Sequence, residues 1–505
     1  MSGEPGGAPP EPLVRSLARL AEGGARGGLR SAGRELTLPR CWAAVRGGAR
    51  RLTELGVSRG DRVALFGSNS IDVAIAYFAV HAAGGIAVPI GPDVSAGSAR
   101  QVLEDCSPAL ILAKVPGQAP VEGVRQLPPA EELADGEAGP FEPRCVPGDG
   151  ADLLFTTGTT GRRKGVLLTH ANVASAAANI NAFIGTRAGD VEVVPIPLSH
   201  SFGLGRLRCW SRAGHTLFLE EGLRNPALLF KRVGEIRATG LAIVPAGVAL
   251  LRRLVGPRLR EVGAHLRYVE LGSAPLSPED QRFLLESLPD TRICHHYGLT
   301  EASRAAFRDV RADADRPGTI GRASPNVEIR IADEEGRTLP PLESGEILVR
   351  GGIVMQGYWR QQELTDRALR GGWMRTGDYG WMDAEGYVYL RGRTGDVINV
   401  GGLKVSPIDV ERRLCELPGV KEAACVGVAD RQGILGQVVK AFVVSDEAID
   451  ERRIVDLLRG TLPEHELPRI VERVEALPKT DSGKIKRAEL REREARDDGG
   501  RSGAR

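Results

Sequence analysis

The sequence predicts an α/β protein: a large N-terminal domain of two α/β sheet lobes plus a small β-rich lobe, followed by an α+β C-terminal domain. Three observations predict it. From Arg62 onward, short β-branched or apolar runs alternate with helical stretches, the pattern of strands crossed over by helices. Between Thr319 and Arg391 the strands become closely spaced and the turns glycine-rich. Beyond Arg393 a compact mixture of strands and helices follows.

In chain order, residues 1–12 are rich in Gly, Pro and Ala, carry acids and lack the apolar core of a signal peptide, so they are expected to form a loose tail. A strand at Val63 to Phe66, a helix at Ile71 to Ala83 and a strand at Ile86 to Val88 open the first lobe. After the Gly/Pro-rich stretch from Pro116 to Gly150, strands are expected at Asp152 to Thr156, Val191 to Pro195, Thr216 to Leu219, Leu241 to Val244, Tyr268 to Leu271 and Arg292 to His296. Val327 to Ile331, Gly345 to Val349 and Gly386 to Leu390 supply the β-rich lobe. The last segment reads as a hairpin over Val397 to Val405, a helix from Pro407, strands near Ala423 and Val439, and a helix near Ile454. Residues 491–505 are expected to be disordered.

Composition narrows the function. A chain of 505 residues suggests about three lobes at roughly 150 residues each. With 42% hydrophobic residues, 26% charged residues and a net charge of +2, it is neither a disordered chain nor a nucleic-acid coat. The seven cysteines are scattered and never spaced C-x-x-C, which points to the reduced cytoplasm. The most apolar stretch, Ile71 to Ile90, is interrupted by Asp72, His81 and Gly84-Gly85, so no transmembrane segment is expected. Arg outnumbers Lys throughout, which draws attention to Lys164, Lys404 and Lys484, each inside a glycine-rich motif.

Directly after the strand beginning at Asp152 come Thr156, Thr157, Gly158, Thr159, Thr160, Gly161, Arg162, Arg163, Lys164 and Gly165. Glycines let backbone N–H groups approach anionic oxygens, hydroxyls add hydrogen bonds and basic side chains neutralise charge, a combination suited to a polyphosphate. It is not a Walker loop, since Lys164 stands between Arg163 and Gly165.

This segment resembles the phosphate loop of the adenylate-forming superfamily, which includes acyl-CoA synthetases, peptide-synthetase adenylation domains and beetle luciferases. The remaining motifs follow in family order: Leu271-Gly272-Ser273-Ala274-Pro275-Leu276, Tyr297-Gly298-Leu299-Thr300-Glu301, Gly345-Glu346-Ile347 with Gly357-Tyr358-Trp359, Thr376-Gly377-Asp378, Gly392-Arg393 with Asp396, Gly401-Gly402-Leu403-Lys404, and Pro478 to Ile485. The resemblance covers roughly residues 40 to 490. It implies an adenylation domain over 13–393 and a mobile, rotating C-terminal domain over 394–490, hinged near Gly395.

It also implies roles. Tyr297 stacks on adenine beside a wall of Gly272, Ser273 and Ala274; Thr300 approaches the α-phosphate; Glu301 holds Mg²⁺, a hard cation suited to carboxylate and phosphate oxygens. Asp378 accepts both ribose hydroxyls and Arg393 helps to hold the ribose and phosphate. Lys484 supplies the positive charge that the adenylation transition state needs. His200, Ser201, Phe202, Val244, Ala246 and His296 border the acid, and Gly401 and Gly402 lie along the thiol route. The implied reaction joins an acid to ATP as an acyl-adenylate and then to coenzyme A; a carrier-protein phosphopantetheine presents the same thiol and stays open as the acceptor. A silent adenylate-binding protein would lack Glu301, Asp378 or Lys484, and all three are present.

His295-His296 invites a metal reading, but neighbours on a strand point to opposite faces. Members that activate α-amino acids place Asp immediately after the position of His200; here Ser201 stands there, so a non-amino aliphatic or aryl acid is expected. Arg163 replaces the usual Pro, Thr157 the commoner Ser, and Gly395 the Asp or Lys of many relatives, which leaves the hinge permissive.

Overall fold

The computed structural model describes residues 10–113, 122–135, 139–157, 163–222, 225–430, 432, 434–445, 450–479 and 485–493; the side chains of Thr157 and Glu451 are not among what it describes. The chain divides into two compact units. The first comprises 1–317, 321–328 and 349–374, and the second 318–320, 329–348 and 375–505.

Two sheets build the first unit. One runs Gly357–Tyr358, Arg163–Thr169, Gly150–Thr157, Ile86–Ile90, Arg62–Phe66, Leu110–Ala113, Arg125–Gln126 in spatial order. Its inner strands are parallel, whereas Gly150–Thr157 and Arg163–Thr169 form an antiparallel hairpin with Thr156 opposite Lys164. The other sheet places Arg292–Tyr297, Tyr268–Leu271, Gly240–Ile243, Val191–Val194 and Thr216–Leu219 side by side and parallel. Every residue of Gly240–Ile243 and Tyr268–Leu271 is buried, as expected of parallel strands covered on both faces.

The helix Ile71–Ala83 shows why the layers close. It is buried on all sides, so its apolar residues need no amphipathic stripe. The Ser70 side chain accepts from the Val73 amide at its start, and Gly84 ends it at φ 88°, where a side chain would be strained. No helix among the described residues is long and apolar enough to cross a membrane. All seven cysteines are free thiols, six of them buried.

In the second unit, Trp373–Met382 pairs antiparallel with Val388–Arg393. Farther along, a three-stranded sheet of Val420–Ala429, Gln437–Ser445 and Ile470–Arg473 shares an apolar core with the helices Pro407–Cys415 and Glu451–Leu458.

Candidate active site

Parallel strands present their following loops along one edge, the usual place for a ligand in such a sheet. Ile243 pairs with Leu271 and Leu271 with His295, so the next residue of each strand, Val244, Gly272 and His296, stands in a row across three strands. Side chains confirm the closeness: a Cβ on Gly272 would lie 2.0 Å from Nε2 of His296. The Phe202 ring meets the His296 ring edge to face at 4.7 Å. Val244 is half-buried, while Ala246 and His200 are exposed. His200 precedes the helix Ser201–Ala213 without capping it through its side chain.

Behind this row lies a chain of buried charges that sequence reading missed. Glu270, inside the strand Tyr268–Leu271, contacts Arg304 Nε at 3.2 Å, Arg206 Nη1 at 3.2 Å and His296 Nδ1 at 3.0 Å. Arg206 also makes a two-pronged bond to Glu192 at 2.5 and 2.7 Å, and His215 Nε2 lies 3.0 Å from the same carboxylate. Two carboxylates thus face two guanidiniums. Burial would push the Glu270 carboxyl up, but Arg304 and Arg206 hold it well below the usual carboxylate range. Burial, reinforced by Arg304, lowers His296 to about 4, so its imidazole is neutral near pH 7. A lone pair would be repelled by Glu270, so Nδ1 carries the proton and Nε2 turns its lone pair toward Gly272. The signal available beforehand was a charged residue in each of two otherwise apolar strands, Glu192 in Val191–Val194 and Glu270 in Tyr268–Leu271.

Arg304 does more than neutralise. Its guanidinium donates to the carbonyls of Ser201 at 3.1 Å and Phe202 at 3.0 Å and lies 4.9 Å from the Phe202 ring centroid. It fits only because residue 205 is glycine, whose Cβ would lie 2.4 Å from Nη1. His295 points the other way and its Nε2 lies 3.0 Å from the Ala274 carbonyl, so the histidine pair does not converge on one ion. Ser273, between Gly272 and Ala274, takes φ 73°, a left-handed conformation that costs an L-residue about 1 kcal/mol.

The Tyr297 loop folds tightly: Leu299 and Ala302 exchange backbone hydrogen bonds, and a Cβ on Gly298 would lie 2.4 Å from the Arg304 amide. Thr300 and Glu301 are half-buried there, and Glu301 Oε1 accepts a 2.9 Å bond from the Tyr358 hydroxyl. Thr156 and Lys164 lie opposite each other at the end of the hairpin. Gly158, Thr159, Thr160 and Gly161 fall outside the described residues, as do Lys484 and the outer parts of both terminal tails.

In the second unit, Asp378 and Arg393 are cross-strand partners, with Arg393 Nε 3.0 Å from Asp378 Oδ1. The Thr376 hydroxyl accepts from the Asp378 amide at 3.0 Å and donates to the Ile347 carbonyl at 2.7 Å, so the buried carboxylate stands on a braced turn. Gly401 and Gly402 form the two-residue turn between Ile398–Val400 and Leu403–Val405, with φ 61° and 90°. Both positions require positive φ, a reason for the glycines that is independent of any thiol.

Among the described residues no three His, Cys, Asp or Glu side chains cluster to cage a metal ion. A single carboxylate such as Glu301 fits an ion whose remaining ligands are substrate phosphates and water, the usual mode for Mg²⁺.

Residues 22–359 match the family model described as AMP-binding enzyme, and residues 409–484 match that of the AMP-binding enzyme C-terminal domain. A feruloyl-CoA synthase of an Amycolatopsis species is 34% identical over 463 residues, 88% of this chain and 91% of that protein. The long-chain-fatty-acid–CoA ligase FadD13 of Mycobacterium tuberculosis is 30% identical over 458 residues, 87% of this chain and 90% of that one. ATP-bound MatB from Rhodopseudomonas palustris matches with a TM-score of 0.86 at 29% identity, covering 95% of this chain and 98% of that chain.

Proposed function

The chain belongs to the AMP-binding enzyme family, and from that premise we propose how its own residues divide the reaction. It is an AMP-forming acid–thiol ligase of the acyl-CoA synthetase type. An acid oxygen attacks the α-phosphorus of ATP, pyrophosphate leaves, and the coenzyme A thiol then attacks the acyl carbon and releases AMP.

In this reading the segment Thr156, Thr157, Gly158, Thr159, Thr160, Gly161 and Lys164 holds the phosphates. Tyr297 stacks on adenine beside Gly272, Ser273 and Ala274, Asp378 and Arg393 hold the ribose, and Thr300 approaches the α-phosphate. Lys484 places its charge between the reacting carboxylate and the α-phosphate. Glu301 would hold Mg²⁺, which neutralises phosphate charge when bound. Residues 394–490 then rotate against 13–393 about Gly395, where an added Cβ would meet nothing within 4 Å, to remove Lys484 and bring Gly401 and Gly402 beside the pantetheine.

The substrate is a non-amino aliphatic or aryl acid bordered by His200, Ser201, Phe202, Val244, Ala246 and His296. One observation carries this: Glu270, the carboxylate behind the pocket wall, is already engaged by Arg304, Arg206 and His296, and is not left to pair a substrate ammonium. A buried ammonium without a carboxylate is strongly disfavoured. The test is ATP–pyrophosphate exchange across amino, aryl, fatty and polycyclic acids, with mass detection of coenzyme A thioesters. Exchange is expected with acids lacking an α-ammonium; exchange confined to α-amino acids would overturn the reading. Exchange without any thioester would redirect the acceptor to a carrier protein.

A further inference from the structure

The segment around Tyr358 is sewn to two parts of the site at once. Gly357–Tyr358 pairs antiparallel with Arg163–Thr169, the strand that carries Lys164, and the amides of Gln356 and Trp359 donate to Leu167 and Gly165 at 2.9 and 2.7 Å. On the other side the Met355 amide donates to the Glu301 carbonyl at 2.8 Å, and Val354 bridges to Ala302. The tyrosine side chain repeats this double attachment. Its hydroxyl donates to Glu301 Oε1 at 2.9 Å, and the Lys164 ammonium lies 5.5 Å from its ring centroid.

We propose that Tyr358 is a positioning residue for adenylation, which orients the Glu301 carboxylate and gathers the Lys164 ammonium through one side chain. The inference rests on the roles given above to Glu301 and Lys164. A glutamate and a lysine each have several freely turning bonds, and without restraint both would have to be ordered at the moment the nucleotide binds. The hydroxyl fixes one carboxylate oxygen and leaves the other to face a cation, while the electron-rich ring face attracts the ammonium. The Tyr358 amide is itself held by the Thr365 hydroxyl at 2.9 Å, so the clamp has a fixed base.

The test uses the full chain with α,β-methylene-ATP and reads Mn²⁺ binding by electron paramagnetic resonance, apart from turnover. Tyr358→Phe keeps the ring and loses the hydroxyl; it is expected to weaken Mn²⁺ binding on the order of tenfold with an unchanged Tm. Tyr358→Leu loses both contacts and is expected to weaken the nucleotide analogue as well. In a double-mutant cycle, Glu301→Gln should make Tyr358→Phe nearly silent. Unchanged Mn²⁺ affinity in Tyr358→Phe, or additive effects in the cycle, would overturn the proposal while leaving Glu301 in its role. If Glu301→Gln alone leaves Mn²⁺ affinity unchanged, the assignment of Glu301 falls and the clamp falls with it.

Discussion

The helix Ser201–Ala213 carries two buried arginines that serve opposite sheets. Arg206 and Arg208 are two residues apart, about 200° around the helix, so their side chains leave from nearly opposite faces. Arg206 reaches Glu192 and Glu270 in one sheet, and Arg208 reaches Asp152 on Gly150–Thr157 in the other. The two clusters settle their charge differently. Around Arg206 two carboxylates face two guanidiniums, and the chain ends at His296 on the proposed pocket wall. Around Arg208 one acid is shared among several donors: the Tyr77 hydroxyl at 3.1 Å, His81 Nε2 at 3.1 Å, and Arg208 itself, which also donates to Tyr77. Burial would raise Asp152, yet Arg208 and His81 hold it at about 2. Losing Arg206 leaves two carboxylates with one guanidinium between them, whereas losing Arg208 leaves a single carboxylate still bonded to the Tyr77 hydroxyl and the His81 ring as reserve donors.

The sharpest way to break this contrast is to remove each arginine. Arg206→Met leaves Glu192 beside His215 without a guanidinium and Glu270 with Arg304 as its remaining one, and is expected to cost ~3–5 kcal/mol in urea unfolding. Arg208→Met leaves Tyr77 and His81 donating to Asp152 and is expected to cost on the order of 2 kcal/mol. Equal losses would show that the reserve donors contribute nothing.

Acid should reach the folded chain through its buried histidines before it reaches the carboxylates of the two clusters. Burial is the leading cause of the low values of His170, at about 3, and of His295 and His296, at about 4, against an ordinary 6.5. The unfolded chain therefore binds protons first. Stability is fully present above pH 6.5 and is lost as pH falls toward the folded values, at up to about 1.4 kcal/mol per pH unit for each histidine. Asp152 and Glu270, whose folded values are depressed, give up their contribution only below about pH 4. His170 belongs to the shared cluster: its ring meets His81 edge to face at 4.8 Å, and neither ring nitrogen has a hydrogen-bond partner among the described residues. Urea midpoints between pH 7.5 and 5 should flatten in His170→Gln by the slope of one proton; an unchanged slope would place this acid sensitivity elsewhere.

The smallest effect tests the reserve itself. Tyr77→Phe removes one hydroxyl between Arg208 and Asp152 while their direct contact remains, and about 1 kcal/mol should be lost in urea unfolding. A loss as large as that of Arg208→Met would make the hydroxyl, not the guanidinium, the main support of Asp152.

Much of the scaffold was legible from local signals. The helix Ile71–Ala83 and the strands Thr216–Leu219 and Tyr268–Leu271 fall where residue pattern alone places them. Asp378 and Arg393, fifteen positions apart in the motif string, turn out to be cross-strand partners. The turn at Gly401-Gly402 was legible as glycine but not as geometry: the string suggests close approach of a thiol, and the strands on either side demand positive φ there in any case.

By itself the sequence determined the alternation of strands and helices, the order of the motifs and hence the family, because periodicity, caps and short strings act over a few neighbouring residues. Only the tertiary structure decided which charged and polar side chains meet. Glu270 finds Arg304 across 34 residues, Arg208 finds Asp152 across 56, and Tyr358 finds Glu301 across 57. Such partners are chosen by the desolvation cost of an uncompensated charge at a given point in space, and a linear string carries no record of that distance.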